Sequence, residues 1–400
     1  MRITSPSHVA LAALALAACS GDPERPNPIR PKEPTLADPV AVVPFGTPPA
    51  GVVTQAANNN LDVIEHDGRY YFAFRTAPSH FASADAEMYI VSSTDQTTWT
   101  LEHKLHLGTD VREPRFLSFD GKLFFYFSVL GKEPLKFEPQ GVKVMQFEGP
   151  GKWSEPVAAF EPGMILWRSK TIDGKPYLVG YIGGGNIYEF NGEPITIHWL
   201  TTEDGVHFEP VVPGHEIVQT GGGSETDFVF LDDGALVAVT RNEAGDETGW
   251  GSKICRAEAA DLGTWKCVHD PKKYDSPLMF RDGAHVYLVG RRNVTDTGNY
   301  DLGKDDLSPA DQTSTYEVSY SFEPKRCSLW EVDPVQLKVT LVQDLPSHGD
   351  TCFAGLLSHG DGKYTIYNYT SPLDAQEEDW DWIKGQGLPT DIYRIGLEVP

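Results

Sequence analysis

The sequence predicts an all-β fold, a six-bladed β-propeller with a five-bladed ring as the alternative, and three observations carry that prediction. First, short apolar runs rich in aromatic and β-branched residues come in pairs joined by Asp-Gly, a dipeptide that favours the positive φ angles of a tight hairpin. The pairs meet at Asp67-Gly68, Asp120-Gly121, Asp173-Gly174, Asp233-Gly234, Asp282-Gly283 and Asp361-Gly362. Second, these turns are spaced by 53, 53, 60, 49 and 79 residues, a period that suits one blade of about four strands per repeat. Third, long helix-periodic segments are absent, while aromatic residues make up 11% of the chain, with 38 glycines and 30 prolines.

Taken in order, the first repeat runs from about Asn58 to Leu107 and the second from about Val111 to Phe160. The third runs from near Ile165 to near Val218, and the fourth, built on GGGSETDFVFLDDGALVAVTRNE (221–243), ends near His269. The fifth opens at Tyr274-Asp275-Ser276-Pro277. Its long interval to the sixth holds the polar, Asp-rich segment 293–312, expected to be a loop. No cofactor is expected; calcium in that loop is the single candidate, although no EF-hand spacing fits. The sixth repeat opens at Asp350-Thr351-Cys352 and reaches the C-terminus, where DIYRIGL is expected to supply the strand that closes the ring, and EEDWDW (377–382) offers tryptophans for stacking on sugar rings.

The first 18 residues read as an export signal: Arg2, an apolar run from Val9 to Ala18 too short to cross a bilayer, and then Cys19. Leu16-Ala17-Ala18-Cys19 resembles the bacterial lipobox, which implies lipidation at Cys19 and an anchored protein, with the outer membrane as the expected location. Residues 19–50 hold nine prolines from Pro23 onward and read as an extended linker, and the propeller domain is placed at 51–400, its first strand material near Val52. The four later cysteines suit an oxidising compartment, and short loops favour the pairs Cys255–Cys267 and Cys327–Cys352. With 33 basic against 57 acidic residues the net charge is −24, which disfavours nucleic acid and anionic lipid surfaces as partners. A monomer is expected.

Three turns share a further device: Ser93-Thr94-Asp95 before Trp99, Thr202-Glu203-Asp204 before Phe208, and Ala260-Asp261 before Trp265. These resemble the Asp-box turns of sialidases and the similar turns of five-bladed glycosidases. SETDFVFLDDGALVAVTRNE is similar to the blade-opening strands of sialidase-like propellers. VREPRFLSFDGKLFFYFS is similar to the R-D-P opening of the five-bladed group, with Glu113 where that group has Asp. The resemblance implies a glycoside hydrolase acting on carbohydrate or glycoconjugate at the channel mouth; the alternative is a non-catalytic surface lipoprotein that binds glycan or protein with the propeller face. It also implies roles: Asp62 as acid or base, Glu225 as acid or as support for a nucleophile, Arg112, Arg241 and Arg291 as anion binders, and Tyr369 as the nucleophile.

Independently of the resemblance, the openings of inner strands converge on one face of a propeller. Collected there are the candidate catalytic carboxyls Asp62, Glu113, Glu225, Asp227 and Asp275, the cations Arg112, Arg115, Arg168 and Lys170, and finally His348 and Asp350. Arg75, Arg241 and Arg291 stand at the ends of the second strands on the same side. Carboxyls suit proton transfer in glycoside cleavage, and guanidiniums suit an anionic sugar. No C-x-x-C, H-E-x-x-H, G-x-S-x-G or phosphate-binding loop occurs, so chemistry built on those motifs is excluded.

Overall fold

A computed structural model describes residues 32–185, 193–374 and 380–400. Cys19, the export signal, the linker up to residue 31, and Glu377, Glu378 and Asp379 of the EEDWDW segment lie outside the described residues.

The Asp-Gly turns form as their chemistry demands. At Asp67-Gly68, Asp120-Gly121, Asp173-Gly174 and Asp361-Gly362 both residues have positive φ, between 49° and 77°. In the fifth repeat Asp282 pairs directly with His285, so the loop is Gly283-Ala284 and only its glycine turns left-handed, at φ 54°.

Each hairpin supplies the two inner strands of one antiparallel sheet, and six such sheets form a six-bladed propeller. Blade one comprises Ala57–His66, Arg69–Ala77, Glu87–Ser93 and Thr100–Leu105; blade two comprises Val111–Phe119, Lys122–Leu130 and Pro139–Gly149, edged by Lys152–Trp153 and Val157–Phe160. Blade three is Met164–Ile172, Lys175–Ile182 and Ile195–Thr202, edged by Phe208–Pro210 and Ile217–Gly221. Blade four is Thr226–Phe230, Leu236–Asp246, Gly249–Ala257 and Lys266–Asp270. Blade five is Asp275–Asp282, His285–Asn293, Lys325–Asp333 and Lys338–Asp344.

Blade six is closed differently from the expectation. Gly355–Gly360, Lys363–Thr370 and Asp391–Glu398 are its first three strands, so the C-terminal strand is third. The outer edge comes from Thr35–Leu36 and Val40–Val43, both antiparallel to Asp391–Glu398. Part of the Pro-rich segment therefore belongs to the ring, and the ring begins before Val52. Prolines bracket these strands without interrupting them, which is where a residue lacking an N–H is tolerated at a sheet edge.

Two of the three Asp turns act as read; at the third, Asp261 takes up the Thr264 N–H with its main-chain carbonyl and not with its carboxylate. The Asp95 carboxylate accepts the N–H groups of Thr97 and Thr98 at 2.8 and 2.7 Å, and Asp204 accepts those of Val206 and His207, both at 2.8 Å. Asp333 does the same for Val335 and Gln336 in blade five, where no aromatic residue marked the turn. Trp99, Trp153 and Trp265 are buried between sheets, against Phe72, Phe116 and Trp199 respectively.

The segment 293–312 is only partly a loop. Pro309–Ser321 is a helix whose N-cap Ser308 accepts from the Asp311 N–H, with Pro309 in the first turn. Its buried side, Thr313, Tyr316 and Tyr320, packs on Trp250 and Tyr300. Asp301 accepts the N–H groups of Trp250 and Gly303, and no group of three or more His, Cys, Asp or Glu side chains assembles for a metal among the described residues.

Both expected disulfides form: Cys255–Cys267 within blade four and Cys327–Cys352 between blades five and six. Cys255 and Cys267 lie opposite each other on neighbouring strands. Replacing both with serine is expected to lower stability by about 2–3 kcal/mol, the effect of a short loop closed in the unfolded chain. Denaturant unfolding of the double mutant checks this. No helix among the described residues is long and apolar enough to cross a membrane.

Candidate functional site

Inner strands do not run straight into the mouth. Register slips between Asn59 and Leu61 in blade one, Arg112 and Arg115 in blade two, Leu166 and Arg168 in blade three, and Asp275 and Leu278 in blade five. Asn60, Glu113 and Ser276 hold positive φ angles at three of these bulges, at 40°, 51° and 54°. A bulge re-aims the side chains beside it, and non-glycine residues held at positive φ are strained.

Beneath the mouth lies a layer of charges that crosses the channel. Arg168 donates to Pro277 O at 3.0 Å, Ala354 O at 3.2 Å and Ser276 O at 3.4 Å, reaching from blade three to blades five and six. Arg115 donates to Trp167 O and Pro114 O, with its guanidinium between the rings of Trp167 and Phe353. Burial pulls its pKa down to about 9. Asp62 accepts the Phe116 N–H of the next blade at 2.7 Å, and Asp227 accepts the Met279 N–H of its next blade at 2.6 Å. Lys170 sits on Asp227 at 2.7 Å and donates to Phe228 O and Met279 O. Asp62, Asp227, Arg115, Arg168 and Lys170 thus converge as the sequence indicated, but their polar atoms tie blade to blade.

Above this layer, blades four and five contribute a second network. Arg241 pairs with Glu225 at 3.0 Å and with Glu243 at 3.4 Å, and lies 3.9 Å from Asp275. Arg291 holds Asp275 at 3.0 Å and donates to Thr351 O at 2.7 Å. Buried Lys273 holds Glu243 and, at 3.2 Å, Glu317 of the helix Pro309–Ser321, while the Tyr320 hydroxyl donates to Asp275 at 2.6 Å. Burial pushes the Glu225 carboxyl up to about 7, with Asp275 adding to the push and Arg241 opposing it. In Glu243 the effect of burial is overcome by Arg241 and Lys273, which hold it at about 2. Glu225, Arg241, Asp275 and Arg291 were expected together and are together. Lys273, Glu317 and Tyr320 are additions of the structure: the last two stand on the helix Pro309–Ser321, beyond the expected loop 293–312, where the sequence carries no site signal.

Blades six, one and two complete the mouth. Asp350 is enclosed and receives three groups: His80 Nδ1 at 2.6 Å, the Tyr369 hydroxyl at 2.9 Å and Trp382 Nε1 at 3.2 Å. Arg112 pairs with Asp110 and donates to His80 O at 2.6 Å. Arg75, expected to touch substrate, is fully buried; Asp110, Asn59, Ser79 O and Phe81 O take up its guanidinium. Tyr369 is likewise buried against Asp350, and burial lifts its pKa far above the ordinary phenol range. Glu113 remains half-buried; Asn60 Nδ2 is 3.5 Å from one of its oxygens and the other has no hydrogen-bond partner among the described residues. Burial raises its pKa against the pull of Arg115 and Arg112. His348 faces Pro372 O and the Trp380 ring, away from these groups.

A cavity of 410 Å³ lies between residues 293–302 and the helix Pro309–Ser321, with Tyr320 in its lining.

With this geometry in hand, comparison with known proteins adds the fold class. No family model and no curated protein matches the chain. Among solved structures it is similar to a protein of unknown function from Dyadobacter fermentans DSM 18053, with a TM-score of 0.59, 13% identity, 92% of this chain and 100% of that one. It is also similar to Trypanosoma rangeli sialidase in complex with sialic acid, with a TM-score of 0.54, 12% identity, 86% of this chain and 54% of that one. The endosialidase of phage phi92 aligns with a TM-score of 0.51, 10% identity, 85% of this chain and 66% of that one. The chain spans about half the length of that sialidase. The fold is a sialidase-like six-bladed propeller.

Proposed function

We propose that the protein is carbohydrate-active and works at the channel mouth as a glycoside hydrolase, exported and anchored through Cys19. The observation that carries this reading is a pair of carboxyls, Glu113 from blade two and Glu225 from blade four, both held toward the protonated form by burial in a mouth rich in arginine. A protonated carboxyl at neutral pH is what protonation of a leaving glycosidic oxygen requires. Glu113 keeps partial exposure as a residue, and its enclosed Oε2, without a hydrogen-bond partner among the described residues, is the carboxyl oxygen left open to a further group. Arg112 is the guanidinium with side-chain exposure, 14%, that suits an anionic group on the substrate.

The non-catalytic reading draws on a different observation. Arg241, Arg291 and Tyr369 are taken up by internal partners, so three members of the constellation that the resemblance implies are not free to receive a sugar carboxylate, and Arg75 is enclosed in the same way. A screen of aryl-glycosides, including a sialoside, separates the two. It should use the chain from Lys32, which keeps the strands that close blade six. Turnover by the parent protein that falls about 10²- to 10⁴-fold in Glu113→Gln or Glu225→Gln supports hydrolysis. No turnover on any substrate, together with glycan binding that survives both replacements, selects the binding module.

A further inference from the structure

We propose that His80, oriented by Asp350, is the general base of this site, a role that the sequence reading assigned to no histidine. His80 lies on the loop after the second strand of blade one, with 15% of its side chain exposed, while Asp350 of blade six is fully enclosed. Asp350 Oδ2 is 2.6 Å from His80 Nδ1, and its other oxygen receives the Tyr369 hydroxyl and Trp382 Nε1. A carboxylate so placed can only accept, so the imidazole must carry its proton on Nδ1. Nε2 is then the acceptor nitrogen, and it makes no hydrogen bond among the described residues. The ring is fixed at both main-chain ends as well: its N–H donates to Gln386 O at 3.1 Å and its carbonyl accepts from Arg112.

The titratable groups around the ring are Asp350 and Tyr369 of blade six, Arg75 of blade one and Arg112 of blade two. Burial, reinforced by the two arginines and opposed by Asp350, lowers the His80 pKa from its ordinary value. A neutral imidazole is the form that accepts a proton at pH 7. Glu113 belongs to the same corner. Asn59 Nδ2 lies 3.5 Å from His80 Nδ1, a packing contact and not a hydrogen bond when Nδ1 carries its proton; Asn60, the next residue of the strand, contacts Glu113, which follows Arg112 directly.

The inference rests on the hydrolase reading and completes it with an acid and a base. Nε2 takes a proton from water as the water oxygen bonds to the anomeric carbon. The bond from that carbon to the leaving oxygen breaks, and the Glu113 carboxyl gives its proton to that oxygen. Solvent then returns a proton from the imidazolium to the Glu113 carboxylate. Asp350 is a positioning residue.

The experiment is steady-state kinetics of His80→Ala and Asp350→Asn on whichever aryl-glycoside the parent turns over, with and without added imidazole. The expected result is a kcat about 10²- to 10⁴-fold lower at similar KM for His80→Ala, partly restored by imidazole, which a merely structural role does not produce. Asp350→Asn should lower kcat and leave KM unchanged. Parent turnover with full activity in His80→Ala overturns the base while the hydrolase reading stands. No parent turnover overturns the hydrolase reading and the base with it. Long-range proton–nitrogen NMR of the full protein supplies a readout independent of substrate: His80 should carry its proton on Nδ1 at pH 7, and an Nε2–H tautomer there overturns the assignment.

Discussion

Replacing Asp227 with alanine should destabilise the ring by about 3–5 kcal/mol, the range for removing one partner from a buried ion pair. Asp227 is fully buried and none of its capacity is idle. One oxygen takes Lys170 Nζ and the Phe228 N–H; the other takes the Met279 N–H of blade five and lies 3.9 Å from Arg168. Alanine would leave the Lys170 and Arg168 cations without their nearest anion, the first with 21% of its side chain exposed and the second with 5%, and two main-chain N–H groups without that acceptor. Asparagine keeps the shape and one acceptor, so Asp227→Asn should lose less. The decisive comparison is Asp227→Ala with Lys170→Met: removing both charges should recover part of the loss, because an uncompensated cation is costlier than its absence. Guanidinium denaturation of the three variants measures this. A change below about 0.5 kcal/mol for Asp227→Ala would mean that the layer holds the blades less tightly than its geometry indicates.

The ring was legible because its turns are chemically explicit. Asp-Gly marks a left-handed turn wherever it stands between apolar runs, and the repeats it delimits match the blades within a few residues. Closure was not legible. Val40–Val43 is only four residues long and lies among prolines, and strand pairing with a segment some 350 residues away leaves no local trace. The helix Pro309–Ser321 did announce itself, through Ser308-Pro309 and Asp311, but its buried residues are mostly Gln, Thr and Tyr, so the apolar period that usually confirms a helix is missing. At the mouth, residue types were predictable and partners were not. Arg168 and Asp227 were collected correctly as converging charges. That Arg168 meets carbonyls across the channel, and Asp227 a main-chain N–H of the next blade, depends on bulges in blades three and five that are invisible in the sequence. His80 lies 270 residues from Asp350, and nothing in its own neighbourhood distinguishes it from an exposed loop histidine.

Glu225 should make the folded protein lose stability as pH rises. Its carboxyl accepts the Ser276 N–H at 2.7 Å and pairs with Arg241, yet burial, with Asp275 nearby, raises its pKa from the ordinary 4.5 to about 7. Between those values the unfolded chain releases the proton and the folded one keeps it. The folded state therefore binds more protons, and stability falls as pH climbs through that window. At about 1.4 kcal/mol per pH unit, the loss between pH 4.5 and 7 is on the order of 3 kcal/mol. Glu317, raised to about 7 by burial and by Glu243, acts in the same direction. Glu243, held at about 2, acts in the opposite one, but over a more acidic window that closes near 4.5. His80 opposes the trend too, since a lowered imidazole pKa favours folding as pH rises through about 6.5. The clean observable is thus a difference. Glutamine at 225 can still accept the Ser276 N–H but cannot ionise, so Glu225→Gln should gain on the parent by a few kcal/mol from pH 4.5 to 8. Chemical unfolding at four or five pH values measures it, and a constant difference across that range would show that Glu225 ionises as an ordinary carboxyl.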